Sequence, residues 1–228
     1  MNLTDEWRFP VGHPIRVTDR GVDYFYFPHP FCATRVKATL ADVKNPASYE
    51  AFTCLPDGAT DAKNSSQLVR AADGRLRYGW KLNTAPITPS DERALITSGK
   101  IKATEARYAV TNVDSGKPVL IHDGSIQWNA YRKKWLLIGV EHYGSSFLGE
   151  VWLAEADEAT GPWRRAKKIV THDRYSFYNP AQHPFFDQQN GRVIYFEGTY
   201  TKEFSGNPAA TPRYDYNQVM YRLDLGGH

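Results

Sequence analysis

Four acidic residues stand where apolar, strand-like stretches of the sequence begin or end. Asp123 and Glu150 precede such stretches, whereas Glu141 and Glu197 close them. Two carboxyl groups that flank a glycosidic bond can hydrolyse it, provided that one of them holds a proton at the start of the reaction. An apolar setting favours the protonated form, and the run 193–196 before Glu197 supplies one. We therefore predict Asp123, Glu150 and Glu197 as candidate catalytic residues.

Each of these carboxylates also has a structural interpretation. Asp123 precedes Gly124 and could cap a turn through its side chain. Glu150 could be an exposed charge at the start of a strand. Glu141 and Glu197 occupy nearly equivalent positions, which repeated hydrogen bonds to an adjacent loop would explain equally well. The sequence leaves both interpretations open.

Aromatic and polar side chains that suit a sugar ring gather in two loop-like segments. Because the faces of a pyranose are apolar and its rim carries hydroxyls, sugar sites combine aromatic rings with polar groups. The predicted substrate-binding residues are Tyr175, Tyr178, Asn179, His183, Tyr200, Arg213, Tyr214 and Asn217. Arg213 could also clamp the carboxylate or sulfate of an acidic sugar. The alternative is that segments 178–180 and 212–214 brace the loops against each other.

Sequence motifs for other chemistries are missing. The histidines lack zinc-ligand spacing, the serine pair 145–146 has no GxSxG context, and no glycine-rich phosphate loop is present. We therefore predict no metal site and no cofactor. A structural cation in a central channel is left open, and the histidines near strand entries are His13, His122, His172 and His183.

Composition excludes several classes of protein. The chain has 228 residues and a formal net charge of +3 without a basic block, so nucleic acid is not the expected partner. No apolar run approaches the roughly 20 residues of a membrane span, and no secretory signal follows Met1, which leaves the localisation undetermined. The content of 6 Trp, 14 Tyr and 11 Phe favours a folded all-β protein. Cys32 and Cys54 either pair or are free buried thiols.

The pattern of strands and turns repeats along the chain. The clearest set has strands at 125–128, 135–141, 150–155 and 163–170, and four antiparallel strands in about 47 residues are typical of one propeller blade. The predicted blades are 10–55, 65–122, 123–170 and 181–225. The last begins with a strand at 183–186 and lacks its fourth strand, which segment 1–9 could supply. One helix is expected to open at Pro89, with Ser90 as its N-cap.

A ring of such blades has two faces, and the short and long loops of the chain are expected on different ones. In a ring of such blades the plain turns share one face, and the long loops, among them 142–146, 171–183 and 198–216, share the other. Binding and catalytic residues concentrate on loops that a rigid scaffold positions. The candidate site is therefore expected at the loop-rich face.

Segment 150–157, followed by Gly161–Trp163, resembles the third-to-fourth strand signature of five-bladed β-propeller glycosidases. These are the arabinanase, xylosidase and levansucrase type enzymes. Stretches 128–132, 177–180 and 195–200 are most similar to uncharacterised bacterial relatives of this fold. The resemblance implies a five-bladed ring of which this chain is the C-terminal part. It also implies that an acid at a strand entry, such as Asp123, takes part in catalysis.

Taken together, the sequence predicts one all-β domain over residues 1–228, a β-propeller with about four blades. The expected function is hydrolysis of a plant or algal polysaccharide or oligosaccharide by paired carboxylates. The alternative is a non-catalytic carbohydrate-binding or assembly module, in which two chains form a homodimer to complete the ring. A carbohydrate is the expected partner, without nucleic acid or membrane.

Overall fold

The computed structural model describes residues 8, 10, 12–62, 67–172, 174–211 and 213–227. The chain is predominantly β and divides into two compact units, Met1–Ala109 and Val110–His228. Of segment 1–9, only Arg8 is described, so the expected closing strand lies outside the described residues. Among the described helices, none has the length and apolar character needed to cross a membrane.

The first unit is built on a five-stranded antiparallel sheet. Its strands, adjacent in chain order, are β1 (Ile15–Asp19), β2 (Val22–Pro28), β3 (Cys32–Lys37), β4 (Glu50–Thr53) and β5 (Gly79–Leu82). A two-residue turn joins β1 to β2, and both of its residues, Arg20 and Gly21, have positive φ, as such tight hairpins require. The four strands predicted in 10–55 are confirmed.

Arg35 ties the strands of this sheet together. Its guanidinium donates to Asp19 Oδ2 at 2.7 Å and to Glu50 Oε2 at 2.6 Å. It also lies 3.9 Å from the ring centroid of Tyr24 and 4.5 Å from that of Trp80. Because it is buried with two carboxylate partners, it fixes the aromatic rings around it.

The predicted helix is present and begins at Pro89, but its N-cap lies two residues earlier than expected. Helix α2 (Pro89–Thr97) is capped by Thr88, whose hydroxyl accepts from Asp91 N at 3.1 Å while Thr88 N donates to Asp91 Oδ2. The assignment of Ser90 as N-cap is wrong, because proline favours the first helical position and the cap must precede it. The other described helices are α1 (Leu40–Val43) and the short 3₁₀ turns Pro46–Ser48, Ala103–Glu105, Pro184–Phe186, Gln189–Gly191 and Leu225–Gly227.

The second unit contains a larger and a smaller sheet. The larger has the order β6-β10-β9-β8-β7, with β6 (Thr111–Asn112), β7 (Ile121–Asn129), β8 (Lys134–Glu141), β9 (Glu150–Ala156) and β10 (Arg165–Thr171). Strands β7 to β10 form an antiparallel meander, which confirms the four strands predicted in 123–170. The short β6 pairs with β10 in parallel.

The smaller sheet consists of β11 (Ser176–Gln182), β12 (Val193–Thr201) and β13 (Tyr216–Asp224), in that order. The strand predicted at 183–186 is wrong, since Pro184–Phe186 forms a 3₁₀ turn and the first strand lies before it. Strand β11 accommodates Pro180 because the pairing shifts between Tyr178 and Ala181, where Asn179 has a φ of 49°. A bulge is where proline can enter a sheet.

Residues 65–122, predicted as a diverged blade, divide their strands between two sheets in the part of the chain that the structure describes. Strand β5 extends the sheet of the first unit, and β6 joins the larger sheet of the second. The expected hairpin before β5 is reduced to one bridge between Arg70 and Leu76. Strands this short cannot form a separate sheet with its own apolar face.

Apolar side chains of both sheets form the core of the second unit. Strand β11 packs on β7 and β8, and Gln182 N donates to Ser125 Oγ at 2.8 Å across that contact. The fully buried core side chains include Leu136, Ile138, Phe177, Ile194 and Phe196. In the first unit, Cys32 and Cys54 are buried, free thiols, which settles the alternative left open by the sequence.

Candidate functional site

The long loops of the second unit leave its two sheets at one side, here called the loop edge. In the larger sheet, Ile121 pairs with Glu141 and Glu150 with Thr171, so these positions share an edge. In the smaller sheet, Thr201 lies between Ser176 and Tyr216 at the corresponding edge. Loops from both sheets contact each other there, since Ser146 Oγ donates to Tyr175 O at 3.0 Å and His172 N to Gly149 O at 2.9 Å.

Two carboxylates, Glu141 and Glu150, face each other beneath the loop 142–149. Glu150 is 2% exposed, and both of its side-chain oxygens accept from Ser145 N, at 2.8 and 2.9 Å. Glu141 Oε2 accepts from Trp152 Nε1 at 2.8 Å. A Cβ on Gly144 would overlap Glu150 Oε2 and stand 3.0 Å from Glu141 Oε2, so the two oxygens lie at most about 5 Å apart.

The electrostatics of this pair favour a proton on Glu141. Burial raises the pKa of Glu141, the Trp152 hydrogen bond opposes this shift, and the negative charge of Glu150 adds to it. Lys168 Nζ lies 3.6 Å from Glu150 Oε1 and 5.3 Å from the ring centroid of Trp152. The arrangement therefore sets a carboxyl group with a raised pKa next to a buried one that has a cationic neighbour.

The loop edge also carries a row of rings in mutual contact, here called the aromatic strip, which consists of the partly buried His142 and the exposed His122, Tyr143, Phe147 and Phe204. The His142 ring stacks on Tyr143, with centroids 3.8 Å apart and an interplanar angle of 14°. Phe147 contacts Tyr143 at 5.4 Å and Phe204 at 6.3 Å, and His122 lies 5.0 Å from His142. Tyr143 is 69% exposed and Phe204 63%, so the strip presents an aromatic surface to solvent.

The loop that carries the strip is held in a tight conformation. Tyr143 has a φ of 62°, which is uncommon for a residue with a side chain, and Tyr143 N donates to Phe147 O at 2.9 Å. Side chains approach the loop glycines closely, since a Cβ on Gly149 would stand 2.5 Å from Ser146 Oγ. Residues whose φ and ψ angles lie in sparsely populated regions are held there by the surrounding structure. Such residues cluster at binding sites.

Four rings of the strip, those of His142, Tyr143, Phe147 and Phe204, were not among the site residues predicted from sequence. The loop 142–146 was expected at the loop-rich face, but its aromatic residues carried no pattern of their own. The signal that could have identified them is the occurrence of bulky aromatic residues in otherwise polar loops. Large apolar side chains that are exposed together indicate a functional surface.

The structure brings together Tyr175 and Tyr200, two of the predicted substrate-binding residues. Their ring centroids are 5.0 Å apart, and His172 lies 4.3 Å from Tyr200. The Tyr175 hydroxyl donates to Ala210 O at 3.2 Å, so this ring also holds the loop that precedes β13. Burial raises the pKa of Tyr200.

Arg213 and Tyr214 lie on that same loop, and Asn217 is the second residue of β13. Asn217 Nδ2 donates to Tyr214 O at 2.6 Å and to Thr211 Oγ1 at 3.2 Å, which is a bracing role. Arg213 is exposed, and its guanidinium lies 5.3 Å from the ring centroid of Tyr214.

The remaining predicted side chains lie further from the loop edge. Glu197 is four residues from Thr201 along β12, or about 13 Å at the usual rise of a strand. It pairs with His183, whose Nε2 is 3.1 Å from Glu197 Oε1. Tyr178 packs against the core, and the exposed Asn179 forms part of the β11 bulge.

Asp123 lies near the loop edge in a bulge of β7. The register passes from Ile121 to Asp123, so His122 is the extra residue. Asp123 Oδ1 accepts from Gly124 N at 2.7 Å, in line with the local backbone role considered from the sequence. The described residues contain no group of three or more His, Cys, Asp or Glu side chains arranged to hold a metal ion.

Comparison of the chain with protein-family models, curated proteins and solved structures finds no match. The resemblance to five-bladed propeller glycosidases therefore stays a prediction.

Proposed function

We propose that this protein binds carbohydrate at the loop edge of its second unit, through the aromatic strip. The observation that carries the proposal is the row of rings in contact with one another, from His122 to Phe204, of which all but His142 are exposed. Exposed rings of this kind provide the flat apolar surface on which the C–H face of a sugar rests. Single exposed aromatic residues are common on protein surfaces and do not indicate a binding site. A contiguous exposed row of them does indicate one.

The strip is held in place before any ligand arrives. His142 is stacked on Tyr143, and Phe147 lies edge-on to both rings, with its centroid 4.7 Å from that of His142. Because the rings are already ordered, binding would cost little side-chain entropy. The exposed His122 and the partly exposed Glu141 offer polar groups for sugar hydroxyls beside the rings.

Binding without turnover is the function that this conformation supports best. The carboxylate of Glu150 is closed beneath Gly144, and both of its oxygens are engaged by Ser145 N. A substrate could reach Glu150 only if loop 142–149 moved away. The aromatic strip, in contrast, is accessible as it stands. The protein is then a carbohydrate-binding module rather than a hydrolase.

Hydrolysis is the second candidate, and the Glu141–Glu150 pair favours it. Retaining glycosidases place their two carboxyl groups about 5–5.5 Å apart, close to the limit that Gly144 sets here. Glu141, with its raised pKa, would donate the proton to the leaving oxygen, and Glu150 would attack the anomeric carbon. This pairing replaces Asp123 and Glu197 of the sequence prediction with Glu141.

We also propose that the sheets are blades of a β-propeller related to the five-bladed glycosidases. Support comes from the two meanders of consecutive antiparallel strands, β1–β4 and β7–β10, each of which has the size of one blade. The three-stranded sheet β11–β13 would be a blade that lacks its outermost strand. Such a blade could be completed by another segment or by a second chain.

Calorimetric titration with neutral xylo-, arabino- and galacto-oligosaccharides tests carbohydrate binding. We expect Tyr143→Ala to weaken the binding of whichever sugar binds by about tenfold, since a lost stacking platform costs about 1.4 kcal/mol. Phe185→Ala is the matched control, because Phe185 is 76% exposed but lies on the Pro184–Phe186 turn. Failure of every sugar to bind, or equal affinity of Tyr143→Ala, would overturn the proposal.

Release of reducing sugar separates the two candidates. A binding module releases none, whereas a hydrolase loses its activity in both Glu141→Gln and Glu150→Gln. Loss in only one of the two variants would argue against the paired-carboxylate mechanism.

A further inference from the structure

A groove in the first unit runs along the edge strand β5. Its volume is about 570 Å³, within the range of about 300–1,000 Å³ that is usual for small-ligand pockets. Aromatic and charged side chains line it together, among them Asp57, Arg77, Tyr78, Trp80 and Lys81. The groove shares no residue with the aromatic strip of the second unit.

The two aromatic residues of the groove are fixed by the side chains packed against them. Trp80 is contacted by the Arg35 guanidinium at 4.5 Å and by the ring of Tyr26 at 4.9 Å. Tyr78 stacks on Phe52 with ring centroids 5.5 Å apart. Its hydroxyl donates to Glu92 Oε1 at 3.2 Å. A ligand ring would therefore meet ordered aromatic walls, at a small cost in side-chain entropy.

The charged residues of the groove leave one cation unmatched. Lys81 Nζ donates to Leu55 O and to Asp57 Oδ1, both at 2.7 Å, so its charge is compensated. Arg77 is exposed and makes no ion pair with any residue that the structure describes. One planar guanidinium with five N–H donors matches one carboxylate in a bidentate pair. The charge of a nucleotide phosphate would need more free cations than the groove offers.

We propose that this groove binds the uronic acid unit of an acidic saccharide, with its carboxylate on Arg77 and its ring against Tyr78 and Trp80. The guanidinium and the aromatic walls occur together here, and a uronic acid matches them with an apolar ring face and one carboxylate. The site goes beyond the proposed function, because it lies in the other unit and selects an anionic ligand. Neutral sugars would bind at the loop edge without using it.

Titration calorimetry with trigalacturonate, and with neutral galactotriose as the comparison, tests this site in the full chain. We expect Arg77→Ala to weaken trigalacturonate binding at least tenfold. Asp57→Asn should strengthen trigalacturonate binding severalfold, because the Asp57 carboxylate no longer competes with the ligand carboxylate for Lys81. The Asp57 side chain is 89% exposed, so its replacement should not disturb the fold. Arg93→Ala, an exposed arginine on α2, is the matched control and should bind as the wild type does.

Three outcomes would overturn the proposal: no binding of trigalacturonate, full affinity for it in Arg77→Ala, or an equal loss of galactotriose affinity in Arg77→Ala. Tighter binding of uridine monophosphate would reassign the groove to nucleotides and overturn it as well. Tyr143→Ala distinguishes this site from the loop edge, since it should leave trigalacturonate binding at Arg77 unchanged. Circular dichroism of each variant confirms that the fold is retained.

Discussion

Gly144 lies directly against the carboxylate of Glu150. A Cβ at this position would overlap Glu150 Oε2 and approach Glu141 Oε2 to 3.0 Å. The loop 142–149 therefore closes over both carboxylates only because position 144 has no side chain. This contact links the aromatic strip, which the same loop carries, to the charged pair beneath it.

Gly144→Ala should displace the loop from the carboxylates. The added methyl group has to push away either the backbone or Glu150, which breaks the hydrogen bonds from Ser145 N. We expect a loss of about 1–3 kcal/mol in the free energy of unfolding, as for other overpacked sites. Sugar binding should also weaken, because Tyr143 moves with the loop. Urea unfolding and calorimetry measure the two effects.

The control for this variant is Gly227→Ala, since no atom lies within 4 Å of a Cβ at Gly227. It should keep both stability and affinity. Wild-type behaviour of Gly144→Ala would show that loop 142–149 does not rest on Glu150 in solution.

The stability of the protein should depend on pH through Glu141. Burial raises the pKa of this carboxyl group above its ordinary value of 4.5, so the folded state holds the proton more tightly than the unfolded chain. Between the two pKa values the folded state binds more protons, and the free energy of unfolding therefore falls as the pH rises through that window. Glu141→Gln removes this pH-dependent loss of stability, because glutamine does not titrate. Its amide oxygen can still accept the hydrogen bond from Trp152 Nε1.

We therefore expect Glu141→Gln to gain stability relative to the wild type between about pH 4 and about pH 7. Urea titrations at the two pH values measure the difference. Glu203→Gln, at an exposed position, should show no such trend. A constant difference between Glu141→Gln and the wild type at both pH values would contradict a raised pKa of Glu141 in the folded state.

Gly198→Ala should destabilise the core of the second unit. A Cβ on Gly198 would overlap the ring of Phe177, which is fully buried. We expect a cost of about 1–3 kcal/mol, and a smaller ring partner should relieve it. In a double-mutant cycle, Gly198→Ala combined with Phe177→Leu should cost less than the sum of the two single changes. If the losses of unfolding free energy in the two single variants simply add, the Phe177 ring does not contact position 198.

Neither cysteine of the first unit should react in the native protein. Burial raises the pKa of the Cys54 thiol to about 11, and burial also raises that of Cys32. Ellman's reagent at about pH 8 should detect two thiols only after unfolding in urea, because the thiolate is the reactive form. Ser90→Cys, on the exposed side of α2, provides a thiol that reacts at once. Rapid reaction of the wild type would contradict the burial of both residues.

Much of the strand pattern could be predicted from the sequence. Apolar and polar residues alternate in β7 to β9, and tight turns separate the strands, so local pattern and final structure agree. Strand β11 was missed because it contains Pro180, which a sequence argument places in a loop. The bulge that accommodates Pro180 depends on the partner strand β12, and no local signal announces it.

The candidate site could be predicted only in part. Glu141 and Glu150 were recognised because both mark strand ends, and the structure places them together. The aromatic strip was not foreseen as a unit, because Phe147 and Phe204 come from loops of two different sheets. Their contact arises from the packing of those sheets. Glu197 was selected by the apolar residues before it, but the direction of β12 places it away from the loop edge.

Carbohydrate binding on the aromatic strip should be visible at the rings themselves. The most direct test is an NMR titration of the protein with the oligosaccharide that binds most tightly, while the ring signals of the assigned aromatic residues are followed. We expect the largest shifts at His142, Tyr143, Phe147 and Phe204, with little change at Phe185. Binding that shifts Phe185 while the strip is unaffected, or no shift with any sugar, would contradict it.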